Sequence, residues 1–188
     1  PATGAELKAM LLHMESDEDG PLAVRFPKAS SPRSGLQGDL PDVSVIRPEI
    51  YGSGRTLAII AVGVMWDTGL AVEKELRSRG ILSRVIGVRW IRPLDTAFLD
   101  AQLRDCSRFI IIEDSYIHSG AAQYVRSLID ADTGGRHLHT FAFPEEPIEH
   151  GSREEILHQH GMSPEAIAGW VLESKALSVP AAAGSVDR

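Results

Sequence analysis

A chain of 188 residues, 43% hydrophobic and 24% charged, is long enough for one ordinary globular domain with a fragment of a second. Its formal charge of −7, with the basic residues scattered among acids, excludes the basic stripe expected of a nucleic-acid binder. The single cysteine, Cys106, excludes an internal disulfide, no run approaches the roughly 18 apolar residues of a membrane helix, and no secretory-type segment opens the chain, so a cytoplasmic setting is expected.

The first element is a helix, because Leu7, Met10, Leu11 and Met14 repeat at helical spacing behind a capping box of Thr3 and Glu6. It is expected to stop in the acidic turn Glu15 to Gly20. Leu22 to Phe26 then reads as one short strand ending in a positive charge, with nothing nearby to pair with it. From Pro27 the chain is dense in Pro, Ser and Gly, which predicts an exposed linker to about Ile46 and a domain boundary there.

Beyond the linker, β-rich runs at Thr56 to Val62, Arg84 to Val88, Phe109 to Glu113 and His137 to Phe143 alternate with helical stretches. The first of these helices carries Leu70, Val72 and Leu76 and ends at Gly80, the second runs from Thr96 to Arg104, and the third covers Ala121 to Ile129. Ser152 with Glu155 predicts a second capping box, and Ser163 before Pro164 a further helix start. Strands that are nearly continuous apolar runs, such as Phe109-Ile110-Ile111-Ile112, are those of a buried parallel sheet. The expected fold class is therefore α/β, a mostly parallel sheet with helices on both faces. The small polar residues Ser178 to Arg188 are expected to be a disordered tail, and the chain contains no internal repeat.

Ligands of open parallel sheets approach the carboxyl ends of the strands, so chemistry is sought just past each run. Gly63 after the first run either sets backbone amides toward an anion or lets helix and strand pack closely. Arg89, after the second, either holds a phosphate in two hydrogen bonds or forms a structural ion pair with one of the many acids, and Arg92 reads as a surface charge. Glu113 and Asp114 are adjacent on a strand and point to opposite faces, so they fix a loop or meet a neighbouring subunit rather than form a catalytic carboxylate pair. Seven histidines invite a metal, yet His158 and His160 diverge by roughly 200° on a helix. His137 and His139 share a strand face without a carboxylate or thiol to complete a set, so no metal ligand is assigned. Cys106 reads as a buried thiol. With no nucleophile elbow, Walker loop or dinucleotide fingerprint, no catalytic residue is assigned either.

Several segments together resemble one family. Gly20-Pro21-Leu22-Ala23-Val24-Arg25-Phe26-Pro27-Lys28 is similar to the segment that closes the central, pyrimidine-binding domain of the 1-deoxy-D-xylulose-5-phosphate synthases. Val88-Arg89-Trp90-Ile91-Arg92-Pro93-Leu94-Asp95 resembles their arginine-aromatic-aliphatic-basic-proline-leucine-aspartate element, and Ile111-Ile112-Glu113-Asp114 with Gly120 their loop before a glycine-rich helix start. The stretch Pro147 to Glu155, with Gly161-Met162-Ser163 and Ile167-Ala168, resembles their closing segment. The likeness spans about residues 5 to 175. It implies a homodimeric enzyme that condenses pyruvate with D-glyceraldehyde 3-phosphate, releasing carbon dioxide, on thiamine diphosphate and Mg2+, for isoprenoid, thiamine and pyridoxal synthesis. By the same resemblance Arg25 and Arg89 bind the triose phosphate.

The chain also departs from that pattern. Gly38-Asp39-Leu40 lacks the third glycine of the family's magnesium and diphosphate motif, and the glutamate that activates the aminopyrimidine is absent, so the isolated chain is expected to be inactive. Ile117 to Ala122 replaces the usual paired glycines with bulkier residues, and Lys28-Ala29 stands for arginine-glycine. The expected organisation is a remnant of the central domain and linker at 1–44, a transketolase C-terminal-like domain at 45–175 and a tail at 176–188. A non-catalytic assembly module of the same fold, or the corresponding domain of a transketolase or keto-acid dehydrogenase subunit, are the alternatives.

Overall fold

The computed structural model describes residues 1–16, 20–28, 40–130 and 137–174. Helix α1 is Gly4–Ser16. The main unit then runs β1 (Glu49–Tyr51), β2 (Leu57–Val62), a single 3-10 turn, α2 (Trp66–Ser78), β3 (Ser83–Val88), α3 (Thr96–Leu103), β4 (Arg108–Tyr116), α4 (Ala121–Asp130), β5 (His137–Phe143), α5 (Arg153–Gln159) and α6 (Pro164–Glu173). The strands form one sheet in the order β1-β3-β2-β4-β5. β2 pairs in parallel with β3 and with β4, and β5 continues in parallel beyond β4. The edge strand β1 runs antiparallel to β3.

All six residues of β2 are buried because each face of the sheet carries its own layer of helices. Leu57, Ile59 and Ala61 pack with Val72 and Leu76 of α2, Leu157 of α5 and Val171 of α6. Ala58, Ile60 and Val62 point the other way, onto Leu99 and Leu103 of α3 and Val125 of α4. The period of two along the strand thus divides one apolar run between two cores. Gly69 brings α2 down onto the sheet, since a Cβ there would lie 3.1 Å from both the Ala61 and Val85 side chains. Gly63, offered above as the close-packing glycine, instead makes the turn out of β2 at φ 52, and a Cβ there would meet nothing nearer than a backbone oxygen at 3.4 Å.

The helix starts follow their sequence signals. Ser152 and Glu155 make both bonds of a capping box, and Ser163 accepts from the Ala166 amide ahead of Pro164. At α1 only half of the expected box forms: Thr3 Oγ1 accepts from the Glu6 amide at 3.1 Å, while the Glu6 carboxylate is drawn elsewhere. Met10 is buried, but Leu11 of the predicted stripe is half-exposed. The expected strand at Leu22 to Phe26 does not form; residues 21–27 cross the carboxyl ends of the central strands, where no sheet edge is available to pair with them. The expected linker lies in part outside the described residues, as do residues 17–19 of the acidic turn, and the tail lies wholly outside them.

On β5, His139 stacks on Trp170 of α6 at 4.0 Å between ring centroids, and burial pushes its pKa below the ordinary 6.5, with Arg126 adding to the shift. The fold therefore favours the neutral ring. Stability is full above pH 6.5 and is lost as pH falls from there through the lowered folded pKa. Urea unfolding as a function of pH is expected to show that slope, and His139→Phe to flatten it. Truncating the fully buried Ile60 to alanine is expected to cost about 2–5 kcal/mol in the same measurement.

Candidate functional site

β3 and β4 lie on opposite sides of β2, so the connections leaving their carboxyl ends diverge and open a crevice over β2. A cavity of about 490 Å³ occupies that place. Its floor is Val62 at the end of β2 with Gly63 after it, Val88 at the end of β3 with Arg89 to Arg92 after it, and Glu113 and Asp114 of β4; α1 and residues 21–27 cover it. Arg25 and Arg89, distant in sequence, both line it.

Arg89 is held from several directions. Its Nε donates to both oxygens of Glu6, at 3.0 and 3.1 Å, and its Nη2 donates to Glu49 Oε2 at 2.5 Å. The guanidinium lies over the Trp66 ring at 4.7 Å. Nη1 is buried without a hydrogen bond, over Gly87, where a Cβ would overlap both it and the indole. Only glycine leaves room for this stack. Both readings offered for Arg89 thus bear on the structure: it stands at the strand end on the cavity, and it forms an ion pair, with two acids rather than one.

Arg25 is more open, its side chain 60% exposed. It donates to the Asp114 backbone carbonyl and approaches Glu113 Oε1 at 3.5 Å. Glu113, almost fully buried, accepts from the Ala121 and Ala122 amides at 2.9 and 2.6 Å, which ties β4 to the first turn of α4. Gly120 leaves the space for that reach, since a Cβ there would overlap the carboxylate. Asp114, turned the other way, pairs with Arg153 of α5 at 2.9 Å. The two acids therefore fix loops, as their alternation along the strand suggests. Arg92 is an exposed charge lying over Tyr124, and Cys106 is buried.

Glu6 and Glu49 are the neighbours of Arg89 that sequence reasoning missed. Glu6 carried a capping signal that accounted for it fully, and Glu49 begins a strand only three residues long, too short to leave a periodic trace. Among the described residues no His, Cys, Asp or Glu side chains are grouped as a metal ion requires. Glu113, the buried carboxylate on the cavity, is committed to the α4 amides. The described residues thus do not fit Mg2+ with thiamine diphosphate.

Residues 48–167 match the model of the transketolase C-terminal domain. The chain belongs to that family. It is 28% identical over 173 residues to the 1-deoxy-D-xylulose-5-phosphate synthase of Chlorobaculum tepidum, an alignment covering 92% of this chain and 27% of that protein. With the synthase of the same name from Parafrankia sp. it shares 32% identity over 181 residues, 94% of this chain and 27% of the relative. The chain therefore spans about a quarter of the length of these curated relatives. Among solved structures, a split-gene transketolase described as an inactive beta4 tetramer superposes with a TM-score of 0.62 at 20% identity, covering 70% of this chain and 42% of that one. That likeness concerns the fold. The mostly parallel α/β sheet expected of a transketolase C-terminal domain is the one observed, and the synthases whose motifs the sequence resembles are among its relatives.

Replacing Glu113 by alanine strips two amides of their acceptor and leaves Arg25 without its carboxylate. The expected loss is about 1–3 kcal/mol. Hydrogen exchange should report it locally, as lost protection at Ala121 and Ala122 before the central strands respond.

Proposed function

We propose that this chain is the carboxy-terminal part of a thiamine-diphosphate-dependent 1-deoxy-D-xylulose-5-phosphate synthase that condenses pyruvate with D-glyceraldehyde 3-phosphate and releases carbon dioxide. The observation that carries the reading is the convergence of Arg25 and Arg89 on one cavity at the point where the strand order reverses. A triose phosphate needs an anchor for its phosphoryl oxygens that leaves the aldehyde free, and arginine provides paired, permanently charged donors for that purpose. Arg25 is the accessible member; Arg89 is the stiff one, fixed by Glu6 and by the Trp66 face. Their role is to bind and orient. The decarboxylation and the new carbon–carbon bond belong to thiamine diphosphate and Mg2+ held by the rest of a longer protein. In this reading residues 1–44 close the central domain and lead into the linker, 45–175 form the C-terminal domain, 176–188 are a tail, and the longer protein is a cytoplasmic homodimer.

A second reading, a non-catalytic assembly module of the same fold, draws on the two carboxylates that neutralise Arg89 and on the bulkier loop Ile117 to Ala122. Assaying the full-length protein with pyruvate and D-glyceraldehyde 3-phosphate separates the two. Carbon dioxide release that depends on the triose phosphate supports the synthase, whereas turnover with sugar-phosphate donors only would make it a transketolase, and no turnover leaves the module.

Arg25→Ala and Arg89→Ala are each expected to raise the KM for the triose phosphate by about one to two powers of ten, the scale of one charge-assisted hydrogen bond. The KM for pyruvate should stay within about twofold. Equal losses for both substrates would count against an anchoring role.

A further inference from the structure

The two carboxylates on Arg89 are not equivalent. Glu6 is the inner one: its side chain is 14% exposed, both its oxygens meet Arg89 Nε, and one also accepts from the Ala2 amide at 2.5 Å. Glu49 is the outer one, 56% exposed, and among the described residues Arg89 Nη2 is its hydrogen-bond partner. It stands at the first position of the short edge strand β1, so water reaches its carboxylate directly.

The pair meets in a second, smaller cavity of about 220 Å³ that shares Met10, Arg89 and Trp90 with the first. Glu6 and Glu49 line that cavity and do not line the larger one, whereas Arg89 borders both. The other charged groups there are already engaged. Asp42 accepts from the Ser44 amide and hydroxyl at 3.0 and 2.6 Å, and Arg47 approaches Asp95 at 3.8 Å. Glu6 by itself neutralises Arg89 and fixes its Nε edge, so the guanidinium is oriented without Glu49.

We propose that Glu49 tethers Arg89: it holds the Nη2 edge on the side of the smaller cavity and must release it before that edge can serve a phosphate in the larger one. The inference rests on the reading of Arg89 as a phosphate anchor. Glu49 is in this sense a positioning residue that sets affinity by competition. An exposed carboxylate held by one ion pair is the easier of the two to displace, whereas Glu6, mostly enclosed and doubly bonded, stays in place. Apparent anion affinity is lowered by the fraction of time the edge is taken.

The test is a calorimetric titration of the full-length protein with inorganic phosphate as the probe. Glu49→Gln, which keeps the shape and removes the charge, is expected to bind phosphate about tenfold tighter than the wild type, and Glu49→Asp to return affinity to about the wild-type value. Should the glutamine variant melt early, Glu49→Thr, suited to an edge strand, takes its place. A gain in affinity is an outcome that structural damage does not produce. If Glu49→Gln binds phosphate no more tightly than the wild type while Arg89→Ala binds less, the competition is refuted and Arg89 remains an anchor. If Arg89→Ala binds as well as the wild type, the anchoring role falls and the competition falls with it.

Discussion

A strand hydrogen-bonded in parallel on both edges and covered by helices on both faces has only its ends left to show to solvent. β2 is such a strand, and most of the architecture follows from satisfying it. Each parallel neighbour needs a helical crossover, which supplies the two layers that bury Leu57 to Val62. Because the neighbours lie on opposite sides, their exits part over the carboxyl end of β2 and leave a hollow that no element of the sheet can fill. The cavity is a consequence of strand order before it is a product of any side chain.

Electrostatics then decides what the hollow can hold. An arginine only 9% exposed is costly to bury without compensation, and here the compensation comes from a carboxylate on the Nε edge, another on Nη2 and an indole face below, with Nη1 left without a hydrogen bond. Arg25 is likewise set against Glu113 and the Asp114 carbonyl. The floor of the cavity is therefore balanced in charge rather than plainly cationic, unlike an open anion trap. Selectivity in such a place comes from which pairs can be exchanged for a ligand, because attraction at long range is weak when opposite charges sit side by side.

Most of the frame was legible in the sequence because it is written in periods and caps. β-rich runs, two of them continuously apolar, announced β2 to β5, Ser152 with Glu155 and Ser163 with Pro164 announced α5 and α6, and the alternation of strand and helix announced a parallel sheet. Elements that depend on long-range partners were not legible. β1 is three residues whose only reason to be extended is the open edge of β3, and Leu22 to Phe26, a good strand by composition, stays unpaired for want of an edge. The site divides the same way. Arg25 and Arg89 could be named from motifs, and their convergence depends on a fold the motifs do not state. Glu6 could not be assigned to Arg89, since a side chain placed to cap its own helix gives no sign that a partner more than eighty residues away will claim it.

The reach of Glu113 across Gly120 to the Ala121 and Ala122 amides has a bearing on how this family member can change over time. In many α/β proteins the backbone at a helix start is itself the receptor for a ligand's phosphate, and the receptor is then as invariant as the chain path that builds it. Here α4 spends those amides on an internal carboxylate, so at this helix start the crevice offers side chains in place of backbone donors. Side chains at that place can be rewritten by single substitutions without disturbing the sheet beneath them, so the lining of the crevice is free to vary while the architecture stays fixed.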